Sequence, residues 1–204
     1  MSQESILIVG AGGHARACID VIEQEGRFAV LGLIGLPEEM NSQTLGFPVL
    51  GTDEDLPKLI SKCTYSLISV GQIKTPEPRI RLFNQLKQNG FELPVVVSPL
   101  AYVSPYAKLN AGSIVMHGAI VNAGAVVGKN CIINSQSLVE HDVIIEDHCH
   151  IATAATINSG VHIGAGTFIG SNSSVRQELN IGERCLIGMG QHILTDCDAG
   201  VCMP

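Results

Sequence analysis

From Leu109 onward, every sixth residue is aliphatic. The register runs through Val115, Val121, Val127 and Ile133 to Ile187 and Ile193, fifteen Ile, Leu or Val positions without a break. About three residues in ten here are of those types, so chance gives such a run on the order of once in 10⁸. Val97 and Val103 extend it backwards. A period of six fits neither a helix nor a long strand. It predicts short strands separated by turns and wound into a coil. A second inward position follows four residues later. It holds small residues, among them Ser113, Ala119, Ala125, Cys131, Ser137 and Cys149, as a narrow interior requires. Turn positions carry Gly112, Gly118, Gly124, Asn130, Gly160, Gly166 and Asn172, residues that tolerate left-handed backbone.

The first half has a different pattern. Ile6-Leu7-Ile8-Val9 is a continuous apolar run, followed by Gly10-Ala11-Gly12-Gly13-His14-Ala15 and then a helical spacing of Ala17, Cys18, Val21 and Ile22. Strand, glycine turn and helix in that order suit a phosphate or sugar held at a helix N-terminus. Gly12, Gly13 and His14 are therefore the candidate substrate-binding residues. Further strands are expected at Ala29 to Ile34 and Ser66 to Val70, and a helix from Arg79 to Gln88. The chain divides into a small α/β, Rossmann-like domain over 1–95 and a repeat domain over 96–204. A dinucleotide fold wants an acid at the end of the second strand, and that place reads Ile34-Gly35-Leu36-Pro37. NAD binding, and with it a nicotinamide oxidoreductase, is disfavoured.

Composition narrows the rest. The 204 residues are 46% hydrophobic and 15% charged, with net charge −7. No apolar run approaches the ~18 residues of a membrane span, so no membrane insertion is expected. No Lys/Arg cluster is present, which argues against nucleic acid. Met1 to Glu4 lacks a basic leader region, and the seven cysteines form no CxxC pair. Both point to reduced thiols in a cytoplasmic protein. Residues 18 apart should stack, which places Cys131, Cys149, Thr167 and Cys185 in one inward column as small core residues.

The repeat, of which Ile163-Gly164-Ala165-Gly166-Thr167-Phe168 is a clean copy, resembles the hexapeptide-repeat transferases. The resemblance implies a left-handed parallel β-helix with three hexapeptides per coil, and homotrimers with active sites between neighbouring helices. With the glycine turn ahead of it, the chain resembles one subfamily closely. This contains the bacterial sialic-acid O-acetyltransferases and the N-acetyltransferases of amino-sugar nucleotides such as bacillosamine and perosamine. The marks are Gly10 to Ala15, Gly46-Phe47-Pro48-Val49-Leu50-Gly51, Ser98-Pro99, and Asn134 to His141.

That likeness implies acetyl-CoA as co-substrate and no metal. It also implies His141 as general base, oriented by Asp142, with Glu140 as the other candidate. His150, Gly170 and Gly188 would serve the cofactor, while Gly12, Gly13 and His14 meet the sugar nucleotide. A histidine suits proton acceptance at neutral pH, and the repeat register turns His141 outward. Two departures stand out. Gly35 and Leu36 replace the acids that end the second strand in the amino-sugar enzymes, with Glu38 and Glu39 following later. Val201-Cys202-Met203-Pro204 looks like the family's closing segment altered or cut short.

Several other readings compete. His117 is a weaker catalytic candidate, and His162 and His192 read as solvated. Asp147-His148-Cys149-His150 has metal-binding residue types, but the repeat sends Cys149 inward. A non-catalytic β-helix, as an assembly or sugar-nucleotide-binding protein, is the alternative function. Outward positions such as His117, Ala123, Lys129, Ser135, His141 and Asp147 form no ladder that would support an assembly role.

Overall fold

A computed structural model describes residues 3–203. Met1, Ser2 and Pro204, which belong to the start and tail segments read above, lie outside the described residues.

The N-terminal strands are β1 (Glu4–Val9), β2 (Phe28–Ile34), β3 (Gln43–Thr44), β4 (Phe47–Gly51) and β5 (Tyr65–Ile68). They form one sheet in the order β3-β4-β2-β1-β5, parallel except for β3 against β4. The central strand β1 is apolar at successive residues because both its faces are covered. Ile6 and Ile8 pack with Ala15, Cys18, Ile19 and Ile22 of α1 (Gly13–Glu25). Leu7 and Val9 pack with Leu56 and Leu59 of the short α2 (Leu56–Leu59) and with Leu82, Phe83 and Leu86 of α3 (Glu77–Gln88). Helix α1 stops at Gly26, whose φ of 75° lets its N–H reach the Ile22 carbonyl. The expected strands and helix are present within two residues of their predicted ends. The β3–β4 hairpin was not anticipated, since Pro48 disguises a strand that pairs along only part of its length.

From Val96 the chain winds as a triangular coil. Two-residue strands pair in parallel with those 18 residues on, as Ile120 does with Leu138. They build three walls. The first holds Tyr102–Val103, Ile120–Val121, Leu138–Val139 and their successors, and the second Lys108–Leu109, Val126–Val127, Ile144–Ile145 and theirs. The third runs from Val96–Val97 through Ile114–Val115, Ile132–Ile133, His150–Ile151 and Phe168–Ile169 to Cys202–Met203. The six-residue aliphatic positions line the interior. Every sixth residue from Gly112 to Gly190 turns a corner with positive φ, which explains the glycines and asparagines of the pattern.

The small inward column does more than avoid crowding. Ser113 Oγ donates to Gly128 O at 2.7 Å, Cys131 Sγ to Glu146 O at 3.1 Å, Cys149 Sγ to Gly164 O at 3.2 Å and Thr167 Oγ1 to Gly182 O at 2.8 Å. Each is a compact donor that satisfies a corner carbonyl the interior would otherwise strand. Burial pushes the Cys149 thiol well above its ordinary range, so this thiol serves as packing rather than as a nucleophile.

The N-terminal domain sits on the third wall. Val96, Ile114, Met116 and Ile132 pack into the same cluster as the apolar residues of α1. Arg79, wholly buried, ties the two parts together. Its guanidinium donates to Ile68 O and Val70 O on one side and to Asn130 O and Oδ1 on the other.

Candidate active site

At the carboxyl ends of β1 and β2, the glycine turn borders a cleft of about 320 Å³. Gly10 is there for the backbone. Its φ is 114°, and a β-carbon would lie 2.8 Å from Val70 Cγ2. Gly12 and Gly13 are different, because a β-carbon on either would meet nothing within 4 Å. Packing does not require these two glycines. Their bareness leaves the first amides of α1 open to the cleft, and that helix has no side-chain cap and no acid in its first turn. An uncapped N-terminus with accessible N–H groups suits an anion. Glu39, Asp53 and Arg81 line the same cleft, with Arg81 paired to Asp53 at 3.0 Å.

His14 also lines the cleft, yet its ring turns toward the domain junction. It lies 6.5 Å from the His150 ring, and its Nε2 is buried without a partner among the described residues, as is Oε1 of the neighbouring Gln72. His150 projects from the third wall beneath the N-terminal domain. Its Nδ1–H donates to Gln72 O at 2.7 Å, and its Nε2 accepts from Asn134 Nδ2 at 3.1 Å. Burial, reinforced by Arg79, lowers the pKa of both histidines to about 4. Both are neutral at pH 7. The unfolded chain, with ordinary values near 6.5, takes up protons that the folded one refuses. Stability is therefore expected to fall as pH drops from about 6.5 toward 4. The urea midpoint, compared at pH 7 and 4.5, reads this directly, and His150→Gln should make the fall shallower.

His141 stands elsewhere. It lies on the corner between the first and second walls, with its side chain 60% exposed. Its Nδ1–H donates to Asp142 Oδ2 at 2.9 Å. Glu140 Oε2 is occupied by Asn122 Nδ2 and the His141 amide, so Asp142 and not Glu140 is the imidazole's partner. Asp142 holds left-handed backbone at φ 59°, and four consecutive corners (Gln136, Asp142, His148, Ala154) do so without glycine or asparagine.

The other candidates disperse. Gly170 and Gly188 stack on the corner between the third and first walls, the corner that begins at Asn134. A β-carbon on Gly170 would strike the Gly188 carbonyl, so close coil stacking alone requires that glycine. His117 has both ring nitrogens engaged, by Ser98 Oγ at 2.6 Å and Asp20 Oδ2 at 2.8 Å. Ser98 is buried, so this line tethers α1 to the coil rather than forming a nucleophile. His162 pairs with Glu146, and His192 with Ser174. Cys149 points inward while His148 accepts from Asn130 Nδ2 and His150 meets Gln72. Among the described residues no group of three or more possible metal ligands gathers, and no helix is long and apolar enough to cross a membrane.

Sequence reasoning missed Arg79, Gln72, Asp53 and Arg81. A glycine followed four residues later by an acid, at Gly35–Glu39, is the signal that could have drawn attention to the cleft's rim.

The comparisons agree with this geometry. Residues 5–86 match the model of the PglD N-terminal domain. A variant of perosamine N-acetyltransferase from Caulobacter crescentus, crystallised with CoA and GDP-perosamine, is 28% identical. It superposes with a TM-score of 0.92 over 98% of this chain and 93% of that one. The acetyltransferase domain of PglB from Neisseria gonorrhoeae, in complex with acetyl coenzyme A, gives 28%, a TM-score of 0.90 and coverages of 98% and 96%. WeeI from Acinetobacter baumannii, 22% identical with a TM-score of 0.86 and coverages of 98% and 96%, shares the fold. No curated protein sequence matches. The coil is thus the left-handed parallel β-helix that the repeat implied, residues 5–86 form a PglD-type N-terminal domain, and the chain is an acyltransferase similar to the hexapeptide-repeat sugar acyltransferases.

Proposed function

We infer that this enzyme transfers the acetyl group of acetyl-CoA to a nucleotide-linked amino sugar, at a site shared by two copies of the chain in a homotrimer. The observation that carries this is topological. The glycine cleft belongs to the domain on the third wall, whereas His141 occupies the corner of the prism facing away from that wall. One chain cannot bring them together. A neighbouring copy can present its His141 to the sugar held in this chain's cleft.

The chemistry follows from the tautomer. With Nδ1–H held by Asp142, Nε2 is the free acceptor on an exposed ring. It removes the proton as the acceptor nitrogen attacks the thioester carbonyl, and the thiolate of CoA leaves. His150, Gly170 and Gly188 lie on or beside the corner from Asn134 upward. On this reading that corner is where the cofactor runs, with Gly12, Gly13 and His14 serving the nucleotide sugar across a division near residue 95. The likeness to enzymes crystallised with CoA, acetyl-CoA and GDP-perosamine supports it. Seven free cysteines suit a reducing, cytoplasmic setting.

Subunit complementation tests the shared site. Gly12→Asp should fold, since nothing crowds that position, while its charge and bulk block an anion. His141→Ala and Gly12→Asp are each expected to release CoA at least about a hundredfold more slowly with nucleotide-linked 4-amino sugars. Co-expressed, they should regain activity, because mixed trimers contain sites with both halves intact. A trimer of normal mass with no recovery would sink the shared site. Turnover confined to free sialic-acid-type acceptors would move the reading to O-acetylation.

A further inference from the structure

The rim of the cleft has an acid where the sequence shows none. Strand β2 ends at Ile34, and Gly35 and Leu36 offer no carboxylate. The chain then makes a single 3-10 turn, Pro37–Glu39, which folds Glu39 back over the strand end. Glu39 Oε2 accepts from the Leu36 amide at 2.8 Å. The same oxygen lies 2.8 Å from where a β-carbon of Gly35 would stand, and Glu39 Cβ lies 3.1 Å from it. A side chain at 35 and the folded-back carboxylate compete for one space. Gly35 is what admits Glu39.

In a strand–glycine turn–helix unit, an acid at the end of the second strand accepts hydrogen bonds from ribose hydroxyls while the helix N-terminus takes the phosphates. Here the bare amides after Gly12 and the Glu39 carboxylate line the same cleft. One Glu39 oxygen is spent on Leu36, and Oε1 has no partner among the described side-chain hydrogen bonds. A matched control sits one strand over. Gly51 is followed by the 3-10 turn Asp53–Asp55, and Asp55 Oδ2 accepts from the Thr52 amide at 3.1 Å. Asp55 caps its turn in the same way but does not line the cleft. Capping alone does not put an acid there.

We propose that Glu39, admitted by Gly35, is the residue that holds the ribose hydroxyls of a nucleoside diphosphate in the cleft. This rests on the nucleotide-linked acceptor inferred above and names the group that recognises it.

Calorimetry on the full chain, with UDP, GDP and 2′-deoxy-UDP and no acetyl-CoA, separates the possibilities. Glu39→Ala is expected to weaken UDP or GDP binding by about tenfold or more. Glu39→Gln keeps an oxygen for the Leu36 amide and guards against a mere folding defect; it should also weaken binding, by less. Asp55→Asn should bind as wild type. Gly35→Asp combined with Glu39→Ala should recover affinity, because the new carboxylate enters the vacated space. The 2′-deoxy ligand should lose affinity in the wild type and little more in Glu39→Ala. Unchanged affinity in folded Glu39→Ala would overturn the proposal while leaving the nucleotide reading intact. No binding of any nucleoside diphosphate to the wild type would overturn that reading, and the proposal with it.

Discussion

Replacing His141 by alanine is expected to lower kcat by about 10²–10⁴, the usual worth of a positioned general base. KM for both substrates should stay close to the wild-type value. The ring is exposed, and among the described residues its side chain hydrogen-bonds Asp142, so the fold loses little on its removal. The substitution deletes a proton acceptor and no inferred binding contact. Steady-state CoA release, with thermal unfolding as a control, separates the two effects. Asp142→Asn is the informative companion. Asparagine tolerates the left-handed backbone at 142 as aspartate does, so the corner survives. The amide oxygen can still accept from Nδ1–H and hold the ring, but without the charge that favours imidazolium during proton transfer. A smaller loss in kcat is expected. A variant of His141 with wild-type kcat would place the base elsewhere.

Periodicity made the coil readable because each residue's environment repeats. A corner needs left-handed backbone and an interior position needs a small or aliphatic side chain, so Gly112, Val115 and Ala119 reveal their places one residue at a time. The outward face of His141 was legible for the same reason. Its distance from the glycine cleft was not. Which wall the N-terminal domain covers depends on Ile114, Met116 and Ile132 being apolar on the outside of the coil. A hexapeptide register treats those positions as variable. His150 illustrates the same limit, since its register made it outward while docking of the N-terminal domain made it buried. Glu39 stands beyond the end of β2 in the sequence, and a single 3-10 turn removes that separation in space.

Arg79 is the residue whose importance no local pattern betrayed, and Arg79→Met is expected to cost about 3–5 kcal/mol of stability. The argument starts from its neighbours. The guanidinium is fully buried and, among the described residues, pairs with no carboxylate. Burial lowers its pKa to about 10, which still leaves it charged at pH 7. It is held by four acceptors: the carbonyls of Ile68, Val70 and Asn130, and Asn130 Oδ1. Asn130 returns a bond from Nδ2 to Arg79 O and holds a left-handed corner of the coil. Methionine fills the volume but leaves those oxygens buried without donors, each costing about 1–3 kcal/mol. Relief of the buried charge offsets part of that sum, which is why the expectation stays near the lower total. Arg79→Lys should rescue little, since a single ammonium cannot span acceptors on both β5 and the coil as the planar fork does. Urea unfolding should show the N-terminal domain lost first, with the coil persisting, because the broken bonds are those that dock one on the other. A methionine variant as stable as wild type would mean that the buried cation costs as much to desolvate as its four acceptors return. The docking would then rest on the apolar contacts of Ile114, Met116 and Ile132 and on the bonds of Asp20 to His117 and of Gln72 to His150.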